Sequence, residues 1–370
     1  MSRKPEPEKT LSVAQLKALR SQIDKFDIQI VKLLNERAAI AGQIGKVKSE
    51  QGDHVFSAAR EEEVLNNILH GNKGPLGELT LKGIFRELIS GCRALQRTQK
   101  VAFLGPEYSY SHLAALDRFG EAVEYMRVTS ITAVFEEVAR RHVDLGVVPL
   151  ENSTDGRIAD TLDMFVRIPE IKICSEVRLM VHHNLLANCE QTEIRRVYSK
   201  AQALSQCRNW LSKNLPHATL HEVNSSADAA RLVQSEPFAA AVASRQAGIR
   251  YGLRVLFEKI EDNVGNETRF AVIGLADSAK TGHDKTALIF QIPHSPGALA
   301  DVLAIFKSNK INLTWIESFP YRQAKGEYVF FADFEGHRED PKVKKAIGAL
   351  EDYCEEVNIL GSFPMAKLEE

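Results

Sequence analysis

VAFLGPEYSYSHLAALDRF, residues 101–119, decides how the chain divides. Val101 to Leu104 form an unbroken apolar run of strand length, Gly105-Pro106 breaks it, and a polar turn leads into a helical pattern ending near Phe119. A buried strand that runs through a polar loop into a helix is the opening of an alternating α/β layer. The same unit repeats downstream. VEYMRV (123–128), a helix over 131–140 and LGVVPL (145–150) extend it to βαβαβ, and the polar ENSTDG (151–156) follows. Further strands are expected at IKICSEVRLMV (171–181), RRVYS (195–199), ATLHEVN (218–224), FAAAVA (238–243) and TRFAVIG (268–274). This alternation predicts helices packed on mostly parallel sheets, with ligands beyond the carboxyl ends of the strands. The segment spans residues 100–277, long enough for two lobes around a cleft.

Upstream the texture is entirely helical. Between Leu11 and Ser49 the apolar residues Leu16, Leu19, Ile23, Phe26, Ile30, Leu33, Ile40, Ile44 and Val47 recur at steps of three and four. One amphipathic helix of that length is a rod of roughly 57 Å, longer than a small domain is wide, and its stripe requires a partner to cover it. Gly52 ends the rod, and two shorter helices follow over 57–69 and 79–96, so that residues 11–98 form an all-helical, dimerising domain. Downstream of TRFAVIG, the polar ADSAKTGHD (276–284) is a linker. Residues 284–366 then read strand, helix, strand, strand, helix, strand, the ferredoxin-like βαββαβ unit.

Composition narrows the functions open to such a chain of 370 residues. Lys and Arg number 47 against 49 Asp and Glu, a net charge of −2, so no global field favours nucleic acid or an anionic membrane. Five scattered cysteines without a Cys-x-x-Cys pair speak against a disulfide framework and against a zinc site, and suit a reducing cytoplasm. No apolar run approaches the ~20 residues that span a bilayer. Phosphate-binding loop, dinucleotide fingerprint, zinc-protease and esterase-elbow motifs are all missing, which leaves a reaction that uses no cofactor and no metal.

Local features then suggest where chemistry sits. Arg37 lies within the apolar stripe of the rod and Lys48 lies three turns on, close to the same face. A guanidinium aimed inward costs several kcal/mol unless an anion meets it. Arg20 lies near the start of the rod, Arg60-Glu61 opens the second helix, and Gln96 closes the third. In the central segment, GPEYSYSH (105–112), ENSTDG (151–156) and SKAQALSQC (199–207) each follow a strand, and NETRF (266–270) places Thr268 and Arg269 at the start of another. Taken alone, Ser109, Ser111 and Ser153 read more readily as helix caps than as ligand contacts, and the rod's charges read equally well as the solvated flank of a coiled coil.

The motifs LxxLRxxIDxxDxxIVxLLNERxxIAxxIGxxK, AREEEV and IFRELISxCRALQ resemble the all-helical chorismate mutases. The resemblance implies that Arg20, Arg37 and Arg60 grip carboxylates, Lys48 and Gln96 donate to the ether oxygen, and Glu61 accepts from the ring hydroxyl. Ser57 and Cys92 stand near substrate where the family often has aspartate and serine. It also implies that Arg20 reaches into the site of a second protomer. VAFLGPExSYSHLAA, VVPLENSTDG, VYSKAQALSQC, ASRQAGIRYGLRVL and NETRF resemble the prephenate dehydratases. This implies a two-lobed domain of the periplasmic-binding-protein kind, with Thr268 as hydrogen-bond donor to the departing hydroxyl. Ser111, Glu151, Asn152, Ser153, Ser199, Gln206 and Arg269 would bind substrate, with Arg269 holding a carboxylate or fixing the loop. SPGALADVL (295–303) and ESFP (317–320) resemble the effector motifs of ACT regulatory domains, implying phenylalanine bound by Pro296, Gly297, Ala298, Leu299, Glu317 and Ser318. The family motif has an arginine where Phe319 stands.

The expectation is thus a cytoplasmic bifunctional enzyme of phenylalanine synthesis. It takes chorismate and prephenate as substrates, works at least as a homodimer, and engages neither nucleic acid nor membrane. Two alternatives remain: a non-catalytic amino-acid-sensing dimer, and a dehydratase of arogenate, the aminated analogue, whose mutase domain is inactive.

Overall fold

The computed structural model describes residues 13–51, 56–154, 156–320 and 328–366. The rod is α1 (Val13–Gln51), an uninterrupted helix of 39 residues, followed by α2 (Ala58–Gly71) and α3 (Glu78–Ala94). Ser57 caps α2 by accepting the backbone N–H of Arg60 at 3.3 Å. The end of α3 crosses α1 at Gly45, where a β-carbon would lie 2.5 Å from Cγ of Gln96. Elsewhere the stripe is bare: Phe26 is 60% exposed, Leu33 63% and Ile40 58%.

The central segment begins with β1 (Lys100–Leu104), α4 (Tyr110–Phe119), β2 (Glu124–Val128), α5 (Ile131–Ala139) and β3 (Leu145–Asn152). The short β4 (Gly156–Arg157), α6 (Ala159–Arg167) and β5 (Lys172–Met180) complete the first pass through lobe one. The chain crosses to lobe two for β6 (Asn184–Ala187), β7 (Arg196–Ser199), α7 (Ala201–Gln206), α8 (Arg208–Asn214), β8 (Thr219–Glu222) and α9 (Ser226–Val233). After β9 (Ala239–Ala243), α10 (Arg245–Arg250) and β10 (Arg254–Phe257) it returns as β11 (Glu267–Gly274). The sheets are ordered β2-β1-β3-β11-β5 and β10-β6-β9-β7-β8.

They are mixed rather than mostly parallel. Strand β11 enters from the second lobe and slots between β3 and β5, antiparallel to both. Two crossings, 181–183 and 258–266, join the lobes, and Glu261 ties them together. It accepts the backbone N–H of His183 at 2.9 Å and lies 2.7 Å from His182 Nδ1, while the Tyr110 hydroxyl donates to the His182 carbonyl at 2.6 Å.

The last segment is β12 (Asp284–Gln291), α11 (Ala298–Ser308), β13 (Leu313–Pro320), β14 (Tyr328–Glu335), α12 (Pro341–Tyr353) and β15 (Glu356–Pro364). Its antiparallel sheet runs β13-β14-β12-β15, the ferredoxin-like order. Alternation along the strands gives the sheet two apolar faces. Leu288, Phe290, Phe330 and Phe334 face α11 and α12, whereas Ala287, Ile289, Phe319, Phe331 and Phe363 share one core with Phe135, Phe165, Ile173 and Ile273 of lobe one. The linker therefore separates two chain segments without separating their packing. At Gly361 (φ 148°) β15 comes so close to β5 that a β-carbon would lie 2.3 Å from the Ile173 carbonyl oxygen. No helix among the described residues is long and apolar enough to cross a membrane.

Candidate active sites

Thr268 sits where β11 meets the gap between the lobes, and a chain of amides fixes what its hydroxyl can do. The backbone N–H of Thr154 donates to Oδ1 of Asn152 at 3.0 Å, and because a backbone N–H is only a donor, it sets which end of that amide is oxygen. Nδ2 of Asn152 then donates to Oδ1 of Asn266 at 3.0 Å and to Oγ1 of Thr268 at 2.8 Å. Asn266, oriented in turn, donates through Nδ2 to Oε1 of Gln206 at 3.0 Å. The same oxygen lies 2.8 Å from Nε2 of His183, which must carry the proton of that bond. Burial lowers the His183 pKa and favours the neutral ring. Two donors are left over. Thr268 accepts from Asn152, so its own hydrogen is available, and Nε2 of Gln206 has no partner among the described residues.

These groups line a cleft of about 680 Å³ between the lobes, with Ser111 and the apolar Leu104, Pro106, Ile158 and Phe270 around them. Arg127, at the carboxyl end of β2, and Lys200, at the start of α7, line it from opposite lobes. Of the positions inferred from sequence, Ser111, Asn152, Gln206 and Thr268 meet here. Asn266, His183, Arg127 and Lys200 join them unforeseen. Asn266 lay in plain view in NETRF, and Arg127 ends a strand in the place where α/β sheets hold ligands, but neither belongs to a motif that distinguishes it from a surface residue.

Four assignments to the cleft require correction. Ser199 is fully buried and donates to the Val242 carbonyl at 2.6 Å, joining β7 to β9. Ser153 accepts the Glu267 N–H at 2.9 Å and donates to the Gly265 carbonyl at 3.3 Å, pinning the turn to the start of β11. Glu151 and Arg269 pair across β3 and β11 on the face opposite Thr268, as the two-residue period of a strand demands. Arg269 is buried against the C-terminal domain, paired with Glu176 at 2.8 Å and with Asp333 of β14. Lys285 of β12 adds a contact to Glu176 at 3.3 Å. Burial opposes the charge on Arg269, but Asp333 and Glu176 outweigh it and hold its pKa above the ordinary arginine value. The guanidinium is an interdomain tie and does not reach the cleft.

In the helical domain, Nη1 of Arg37 donates to Sγ of the buried Cys92 at 3.1 Å, and Oε1 of Gln96 is buried without a hydrogen-bond partner among the described residues. Arg37, Cys92 and Gln96 thus gather where α1 and α3 cross, and Lys48, also half-buried, follows Arg37 by three turns of α1. Arg60 is exposed and paired with Glu63 at 2.7 Å. Glu61 departs from expectation. Its carboxylate is buried between Arg93, at 3.2 Å, and Arg118 of α4, at 2.6 Å, so within this chain it fastens the helices to lobe one and does not face Arg37. Arg20 lies seventeen residues before Arg37 on a straight helix, about 25 Å away, beyond the reach of one side chain.

In the C-terminal domain Gly297 caps α11 with φ 88°, a left-handed conformation that glycine adopts without strain. It lines a pocket of about 250 Å³ with Ala298, Leu299, Tyr328 and Phe330, and Pro296 is exposed beside it. Glu317 does not reach this pocket. Arg157 of β4 pairs with its carboxylate and donates to the Ser318 carbonyl at 2.8 Å. Phe319 is buried in the core shared with lobe one.

Comparison with known proteins finds three families along the chain in the order the motifs suggested. The chorismate mutase type II family matches residues 19–97, prephenate dehydratase 101–278 and the ACT domain 286–352. Bifunctional chorismate mutase/prephenate dehydratases of Stutzerimonas stutzeri and Pseudomonas aeruginosa are 43% and 42% identical over 361 residues, covering 96% of this chain and 99% of each relative. The crystal structure of prephenate dehydratase from Arthrobacter aurescens in complex with L-Phe superposes with a TM-score of 0.67 at 32% identity, over 72% of this chain and 90% of that one. Three domains in matching order, with near-complete coverage at this identity, show that the chain belongs to the bifunctional chorismate mutase/prephenate dehydratases.

Proposed function

We propose that the helical domain rearranges chorismate to prephenate and that the cleft converts prephenate to phenylpyruvate, carbon dioxide and water. The observation that carries the second assignment is the amide chain that leaves the Thr268 hydrogen and Gln206 Nε2 as unclaimed donors. Loss of CO₂ releases an electron pair that completes the aromatic ring and expels the ring hydroxyl, a poor leaving group unless a donor meets it. Thr268 is a weak acid, but the driving force lies in aromatisation, so a well-placed hydrogen bond that strengthens as charge builds on the leaving oxygen suffices. The leaving oxygen takes a proton to depart as water. Apolar walls around the departing carboxylate leave it weakly solvated, which favours its loss.

The mutase reaction needs only a cage that holds a dicarboxylate in a compact conformer and stabilises charge on the ether oxygen. Arg37, Lys48 and Gln96 supply part of it. The bare stripe on α1 and the distance of Arg20 from Arg37 support a homodimer in which a second copy covers the stripe and contributes its own Arg20. Phenylalanine, read as the regulator, would bring its carboxylate to the backbone at Gly297. The free cysteines suit a cytoplasmic setting. A coupled assay on the full chain tests these statements together: chorismate consumption and phenylpyruvate formation are expected, the latter slowed by phenylalanine. Absence of both activities would leave the amino-acid-sensing dimer as the reading.

A further inference from the structure

Arg127 and Lys200 are unusual among the cations of the central segment. Both side chains line the cleft, and neither has an ion pair or hydrogen bond among the described residues. Gly105 makes room for the first: a β-carbon there would stand 2.5 Å from Cγ of Arg127, so the arginine stem lies directly over the end of β1. Asp228 is the carboxylate lining the cleft, and it is already engaged, accepting from the Ser225 hydroxyl at 2.8 Å and paired with Arg231 at 3.2 Å. The mouth of the cleft therefore carries uncompensated positive charge, one cation from each lobe.

The rest of the site dictates which part of a ligand meets that charge. Thr268 is 8% exposed and lies at the inner end, whereas Arg127 and Lys200 are exposed. Prephenate bound with its ring hydroxyl at Thr268 directs the opposite ring carbon outward; that carbon carries both the ring carboxylate and the pyruvyl side chain, and the carboxylate of the longer side chain reaches farther toward the mouth. Cations held against the ring carboxylate would stabilise the group that must leave and slow its loss. Against the pyruvyl carboxylate they bind without that cost.

From this we infer that Arg127 and Lys200 form a two-lobe clamp on the side-chain carboxylate and select the 2-keto acid over its aminated analogue. In the analogue an ammonium replaces the ketone on the carbon next to that carboxylate, and places a like charge between the two cations. The keto acid is a dianion and the amino acid carries one net negative charge, so the clamp attracts the first more strongly and repels part of the second. The inference rests on the dehydratase assignment and specifies the substrate class of that cleft.

The test compares kcat/KM for prephenate and for the aminated analogue in the full chain and in Arg127→Gln, Lys200→Gln and the double variant. Mutase activity serves as the folding control. Each single substitution is expected to lower kcat/KM for prephenate about threefold to fivefold, mainly through KM, and to change that for the analogue less than about twofold, given exposed charge contacts of this kind. Arg127→Lys should recover most of the loss. Equal losses for both substrates, or no loss for either, would overturn the inference. Calorimetric binding of prephenate on a Thr268→Ala background separates the clamp from turnover. If the wild type converts neither substrate, the dehydratase assignment fails, while weakened binding in the double variant still supports the clamp and unchanged binding rejects it.

Discussion

Thr268 and Arg269 are neighbours in sequence with unrelated duties, because consecutive strand residues face opposite ways. Thr268→Ala is expected to lower phenylpyruvate formation about 10²- to 10³-fold, the scale of losing one donor to developing negative charge, and to leave chorismate consumption unchanged. Arg269→Met should act on stability. Removing one partner of a buried cluster strands Glu176 and Asp333, at a cost of about 3–5 kcal/mol that a denaturant melt would read. An unchanged melt with a raised KM for prephenate would restore Arg269 to the cleft. The sequence reading places both residues at the cleft; the structure puts Thr268 in its lining and Arg269 against the C-terminal domain. The two-residue period alone separates their faces, but the identity of the wet face depends on where the C-terminal domain docks, and no local pattern records that. The amide chain is legible only in part for the same reason: Asn152, Gln206 and Thr268 fall in recognisable sequence motifs, at the ends of β3 and α7 and the start of β11, while His183 enters through a lobe crossing that has no periodicity of its own.

At the scale of elements, long periodic segments are legible throughout, whereas short strands are legible only in part: β7 and β8 are expected from the sequence, and β6 and β10 are not. Helix α1 follows from its apolar spacing to within two residues at either end. Strands β6 and β10, four residues each, are too short to show alternation, and both were missed. The bare face of α1 leads to a direct expectation. Leu33→Asp, which places a charge at the centre of the stripe, should convert the proposed dimer to monomers by sedimentation and abolish the mutase reaction, while dehydratase activity measured on added prephenate persists. A dimer of unchanged stability would show that the stripe is covered some other way.

At the scale of the molecule, the order of helical, α/β and βαββαβ segments is legible in the sequence, but the shared core beneath the linker is not, because the residues that build it alternate with residues of the domain's own core. Glu61 illustrates the difference between chain and assembly, since its pairing with Arg118 fastens the helical domain to lobe one. If Arg20 serves the partner's site, Arg20→Ala and Arg37→Ala chains should each be mutase-inactive, yet mixing and re-annealing them should restore about one quarter of wild-type activity, since half the dimers are mixed and each has one intact site. No recovery on mixing would place Arg20 in its own protomer's site or outside both.

The position of β11 governs how the protein is made. It fills the gap between β3 and β5, bringing Thr268 to Asn152 across 116 residues of chain. As a ribosome delivers the chain from its N-terminus, β3 and β5 must wait with facing edges unpaired while all of lobe two is synthesised. Closure of the first sheet, assembly of the cleft around Thr268 and seating of the C-terminal domain then fall together at the end, and such a distant pairing should make this the slow event in folding. A chain released before residue 267 would lack the strand that closes the first sheet, and would expose a ready template for aggregation.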